Sequence, residues 1–415
     1  MNRVRALTLL TICFLLPACG DTPSGLGDAD DLLTPTTEDL YTVGAYSGED
    51  WETLGTVAGV AFDDAGNLHI LDRDAKRIVV VDREGNLVRT VGRQGGGPGE
   101  FSDPWGFGIM RDGRIVVNDF LAGLHVFDSE GEFAEVVTLS PFDGLPGQMM
   151  LPVSDMNFVS RGGMRATRPG EESEDDHLRD IDLFALDGSA KQVLYRAWNL
   201  PPTPEDEEVV SENEEGQRQM SFSLGRMRAF EPGLHLGVLS DGRLAVADSM
   251  GYRVKLIGMD GTVSAVLERQ VDPEPVTGAV MEAERERRTE AFSGNANVEF
   301  SGPAGLLEPG MLEELLATQA AQVEDMVFTD VIPVIANLAV DPTDMIWIAR
   351  TGKGAGGPGP IDLLLSDGSY LGTLPADGLA IPDAFGPDGM MAYVETDELD
   401  VPVVRVIRLV SFAIN

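Results

Sequence analysis

The chain has 415 residues, 43% of them hydrophobic, with 69 acidic against 30 basic side chains and a formal net charge of −39. That length and apolar content supply one large core or two small ones, and the charge excludes a nucleic-acid partner, whose phosphates need a basic surface. Four of the basic residues are lysine (Lys76, Lys191, Lys255 and Lys353); an acid-rich, lysine-poor surface fits a salt-adapted or high-GC source and equally fits plain solubility through self-repulsion.

Residues 1–18 have the layout of a secretory signal. Arg3 and Arg5 precede an apolar run, 6–16, and a small residue, Ala18, stands before Cys19. The run is shorter than the roughly 20 residues that span a bilayer. Leu16-Pro17-Ala18-Cys19 resembles a bacterial lipobox, which implies a lipidated Cys19 at the mature N-terminus; an ordinary cleavable signal with an incidental cysteine is the alternative. Each buried CH₂ contributes about 0.8 kcal/mol, so two or three acyl chains anchor stably. Residue 20 is Gly rather than Asp, so the resemblance implies outer-membrane attachment, with the body in the periplasm or at the cell surface and the lipid as its one membrane contact. The only other cysteine is Cys13, inside the segment removed, which leaves the mature chain without a disulfide. Residues 19–39 are acidic and Pro/Gly-rich and read as a tether.

From there one pattern recurs. GVAFDDAGNLHILD runs from Gly59 to Asp72, and RIVVVDREG from Arg77 to Gly85. GFGIMRDGRIVVND (from Gly106) with LHVFDSEG (from Leu124), and HLGVLSDGRLAVAD (from His235) with RVKLIGMDG (from Arg253), repeat it. Gly66 and Gly113 stand 47 residues apart, and Gly66–Gly85 and Gly242–Gly261 each span 19. Short β-branched strands between Asp/Gly turns, with a period of roughly 40–50 residues, predict four-stranded propeller blades. Looser copies lie at 148–195, with IDLFALDG from Ile181; at 337–368, with IDLLLSDG from Ile361; and from Pro382, with DGMMAYVE from Asp388. Leu40–Gly44 has no blade of its own and is expected to pair with blade six and close the ring. The fold class is therefore all-β, one six-bladed propeller over residues 40–415.

VGRQGGGPGEFSDP from Val91, followed by the blade-two copy, resembles the NHL-repeat propellers, in particular bacterial six-bladed propeller lipoproteins of unassigned function. Blades one, two and four carry the likeness well; three, five and six carry it loosely. The resemblance implies the fold more than an activity, because that frame hosts lyases, lactonases and pure binding proteins.

Two insertions interrupt the repeat. Residues 201–225 are acidic, and 271–331 read as helix between blades four and five: 281–292 is charged and Gly-free, and Met311, Leu312, Leu315, Leu316, Ala320 and Val323 share one helical face. The helices are expected to lay an apolar stripe on the propeller, as a lid or as decoration.

The Gly-rich runs at Gly95 and Lys353 lack the Lys-Ser/Thr and the helix of a phosphate loop and read as inter-strand connections. No metal-binding histidine spacing is present. His69 and His125 fit as sheet residues and His177 as a solvated loop residue. Aligning the blades puts Gly59, Gly106, His235 and Asn337 at the start of the innermost strand, and Asp72, Asp119, Arg161, Asp248, Arg350 and Glu395 at the end of the second. Both positions should ring one face at the central channel. His235, Asn337, Arg161 and Arg350 depart from the repeat, as a grafted function would and as drift in degenerate blades also would. His235, Asn337 and Glu395 make a poor zinc set and a tolerable calcium set; no other cofactor is expected. No nucleophile with its base is legible. The expected role is non-catalytic binding or scaffolding of an envelope protein, peptide or glycan, with a metal-dependent lyase or lactonase at the channel as the alternative.

Overall fold

The computed structural model describes residues 30–120, 122–166, 179–201, 211–212, 218–219, 227–294 and 320–414. Cys19 and the signal segment, His177, and Met311 to Leu316 of the expected second helix lie outside the described residues.

Six four-stranded antiparallel sheets follow one another around a ring. Their innermost strands are Val57–Phe62, Pro104–Ile109, Leu151–Pro152, His235–Val238, Ile335–Val340 and Ala384–Phe385. The second and third strands are apolar on both faces because each blade is packed between two others. In blade one Leu68, Ile70, Val79 and Val81 meet Ala392, Val404 and Val406 of blade six. Alternate residues Leu71, Ile78 and Val80 meet Ile115, Val117 and Phe127 of blade two. The period-2 alternation thus sorts side chains between two cores rather than between core and water. Four further clusters fill the remaining gaps between neighbouring blades, so burial is continuous around the ring.

The two Asp/Gly turns of blade one have one construction. Asp63 Oδ1 accepts from the Asn67 amide at 2.8 Å, and Asp82 Oδ1 from the Asn86 amide at 2.8 Å. Gly66 and Gly85 take positive φ, 86° and 83°, which closes each hairpin without a Cβ clash.

The first strand, β1 (Leu33–Val43), is the outermost strand of blade six and pairs antiparallel with the last, Pro402–Ile414. Ring closure by the N-terminal segment is as expected, but its extent is not: residues 33–39, assigned to the tether, belong to the propeller. An outer strand needs only one buried edge, and the polar run at its centre is exposed, so it imitates a linker in sequence. Just before it, Leu32 bridges Thr373 of blade five.

One α-helix is described whole, α1 (Gly278–Gly294), where 281–292 is expected. It carries no apolar stripe. It buries Glu284 beneath Arg287 (2.8 Å) and Arg288 (2.7 Å) and docks on blade five through Arg287 to the Ala355 carbonyl, 2.5 Å. The end of the second insertion, Val327–Phe328, pairs in parallel with Arg228–Ala229, which follow the first.

Candidate functional site

The inner strands fix a ring of positions where the channel opens. Gly59 pairs with Leu71, Gly106 with Asn118, His235 with Ala247 and Asn337 with Ala349, one rung from the second-strand ends. Gly106 is required by close approach, since a Cβ there would lie 2.1 Å from the Gln148 carbonyl oxygen. The opening widens into a cavity of about 730 Å³ between blades one, two, three and six. Gly59, Phe107, Gln148, Met149, Arg161 and Asp383 are among its walls. No residue of the 271–331 insertion lines it, so among the described residues the insertion flanks blade five rather than covering this mouth.

His235 interacts with both Asn337 and Arg161, and of the three Arg161 alone lines the cavity. Burial, then the positive charges of Arg161 and Arg179, pull the His235 pKa down to about 4, against the opposing contact with the Asn337 side chain. The imidazole folds over Gly233, where any Cβ would lie 2.0 Å from Nε2. At neutral pH His235 is therefore an uncharged donor and acceptor. Arg161 sits at the end of its strand, Asn157–Arg161, with Nε buried and unpartnered among the described residues. Burial alone pushes its pKa down, with no carboxylate acting against it.

Arg179 is the member that repeat alignment missed. It starts the third strand of blade three, a position the motif does not mark, and it binds the carbonyls of Pro232 (2.5 Å), Asp248 (3.1 Å) and Trp198. It holds the chain entering blade four against blade three.

The other candidates are occupied elsewhere. Asp119 accepts from the amides of Ser102 (2.9 Å) and Asp103 (2.5 Å). Asp72 accepts from Gly55 (3.3 Å) and Ala75 (3.2 Å) and pairs with Arg77. Asp248 takes Lys255 at 2.7 Å and the Trp198 amide at 2.9 Å. All three carboxylates are at most 1% exposed and tie loops down. Arg350 turns to Asp30 (2.6 Å) and Asp362 (3.5 Å), and Glu395 is held by Arg405 at 2.8 and 3.0 Å. His69 bonds Asp63 at 3.3 Å, and His125 stacks edge-on against Phe101, 5.7 Å between ring centres. Both are core residues.

His235, Asn337 and Glu395 do not make a calcium site in this arrangement. Glu395 is neutralised by Arg405, and two guanidinium groups beside His235 repel a cation. Among the described residues no three His, Cys, Asp or Glu side chains gather to hold a metal. No helix of the described residues is long and apolar enough to cross a membrane.

The DUF5128 family model, described as a 6-bladed beta-propeller, matches residues 49–148. No curated protein matches. A member of the DUF4221 family from Bacteroides vulgatus superposes with TM-score 0.48 at 10% identity, covering 93% of this chain and 100% of that one. A protein from Bacteroides fragilis described as exported gives TM-score 0.41 at 13% identity, with 93% and 97% covered. A gluconolactonase from Xanthomonas campestris gives 0.37 at 12%, with 91% and 89% covered. At such identities and scores these likenesses carry no argument about activity. The chain is a six-bladed β-propeller, by its own strand topology and by that family model.

Proposed function

We propose that this chain is a non-catalytic binding protein of the bacterial envelope, anchored through Cys19, whose ligand enters the channel mouth. The observation that carries the reading is the cavity of about 730 Å³ at the ring of inner-strand openings, a size typical of small-molecule sites. Its walls offer strand backbone, apolar side chains, the Gln148 amide, the Arg161 guanidinium and the Asp383 carboxylate, and the carboxylates predicted to ring it are spent on loop amides and ion pairs. A rigid propeller with a preformed opening suits binding without rearrangement.

Gly59→Leu tests the reading. Its backbone φ is ordinary, and a Cβ at this position meets only Phe107, at 3.6 Å, so a larger side chain projects into free space. A panel of sugars, peptides and organic acids is screened by thermal shift on the intact chain in detergent. Ligands that raise the melting temperature of the wild type should fail to do so in Gly59→Leu, whose own melt stays unchanged. Shifts that persist in the blocked variant would place binding elsewhere and remove this reading.

A further inference from the structure

Acidic residues outnumber basic ones by 69 to 30, so a guanidinium or ammonium group should find a carboxylate. Most do. Arg73 lies 2.8 Å from Asp103, Lys191 2.5 Å from Asp182, Arg253 2.6 Å from Glu268 and Arg405 2.8 Å from Glu395. Arg161 breaks the pattern on the cavity wall. Among the described residues no carboxylate pairs with it, its Nε is buried without a partner, and the charge of Arg179 opposes its own. Arg179 is a second cation, already committed to backbone carbonyls, and His235 is held neutral.

An uncompensated, half-buried guanidinium is costly to keep. Its function in the fold is not evident either, because Arg179 and Asp248 already join blades three and four. What Arg161 has is access: it lines an opening at which an outside group could supply the missing negative charge. A planar guanidinium presents a fork of N–H donors matched to the two oxygens of a carboxylate, and such bidentate pairs are among the stronger hydrogen bonds.

We propose that the channel mouth binds a small organic monocarboxylate, with Arg161 taking both carboxylate oxygens and the carbon body lying against Val60, Phe107 and Met149. This rests on the cavity being the binding site. The preference for a single negative charge comes from Asp383, which shares the cavity wall and is fixed there by accepting from the Val394 amide at 2.7 Å. A dianion such as phosphate would meet that carboxylate's repulsion. An apolar body is favoured because several aliphatic and aromatic side chains line the same space.

The experiment is calorimetric titration of the intact chain in detergent with hexanoate and benzoate. Hexanamide and benzamide serve as isosteric neutral controls and inorganic phosphate as the dianion. Carboxylates should bind at least roughly tenfold more tightly than their amides and than phosphate. Arg161→Met, which keeps the bulk and removes the charge, should bring carboxylates to the level of the amides without lowering the melting temperature. Arg161→Lys, which keeps charge and loses the fork, should fall between. Equal binding of acids and amides, or acid binding unaffected by Arg161→Met, overturns the carboxylate assignment. If Gly59→Leu still blocks that binding, the cavity reading survives the failure. Acid binding lost in Arg161→Met but retained in Gly59→Leu would overturn the cavity placement instead. No heat from either acid at roughly millimolar concentration also overturns the assignment.

Discussion

Arg269 Nη1 lies 2.9 Å from Asp362 Oδ1, and the two side chains are 1% and 0% exposed. The contact is an ion pair by distance, without the alignment of a hydrogen bond. Asp362 also accepts from Thr373 Oγ1 at 2.5 Å, and Arg269 stacks 4.3 Å above the Tyr370 ring. Asp30 reaches in from the start of the described chain to Arg269 (2.8 Å) and Arg350 (2.6 Å). The cluster thus joins the exit of blade four, blade five and the N-terminal segment. Removing one member of a buried pair strands the other's charge, so Asp362→Ala should cost about 3–5 kcal/mol in urea unfolding. Asp30→Asn, at a more exposed position, should cost about 1 kcal/mol or less. A smaller loss for Asp362→Ala than for Asp30→Asn would mean that the buried pair contributes little.

Leu33 opens β1 and is 3% exposed, packed with Trp347, Ile361 and Leu374 in the core between blades five and six. Gly372 leaves it room, since a Cβ there would come within 2.5 Å of Leu33 Cγ. Leu33→Ala should therefore destabilise by about 2–5 kcal/mol, the range for emptying a buried leucine site. A tether residue would give no measurable change, so the urea midpoint discriminates between the two roles.

His235 should make stability depend on pH. Its folded pKa, about 4, lies below that of a free histidine, about 6.5, so the unfolded chain takes up the proton first. Stability is complete above pH 6.5 and is lost as pH falls from there towards 4, by about 3 kcal/mol in total. His125, which burial also pushes down, acts in the same direction. Comparing unfolding at pH 7 and 5 in wild type and His235→Gln isolates the His235 share. A slope unaltered by the substitution would mean that His235 is solvated in the native state.

Asp119→Ala should separate stability from binding. It strands the amides of Ser102 and Asp103 and should cost about 1–3 kcal/mol. Ligand affinity measured below the melt should not change. A loss of affinity with little loss of stability would return this carboxylate to the ligand-binding ring.

Cys19→Ala should abolish incorporation of a labelled fatty acid and release the protein from membranes. Retained label would point to a different attachment residue.

Blades one, two and four were legible because their hairpins keep the Asp and Gly that close them. In blades three and six the innermost strand is only Leu151–Pro152 and Ala384–Phe385, two residues each, too short to show a period. The channel-face positions were legible from pairing alone, since antiparallel register puts the start of one strand beside the end of the next. Which of those side chains stay free was not. Arg161 and Arg350 look equivalent in the repeat, yet Asp30, some 320 positions away, claims one of them and not the other. Arg179 gave no signal because its partners are carbonyl oxygens, which every residue owns.

The pairing of β1 with the last strand also has a mechanical side. Leu33 stands opposite Ile414 and Val43 opposite Val404, so tension entering from the N-terminal end runs along the strand rather than peeling it away. The ladder bonds lie across that direction and share the load together. Were the chain held through Cys19, as proposed, this shear joint would back up the Asp30 and Leu32 contacts to blade five and spread a pull over blade six.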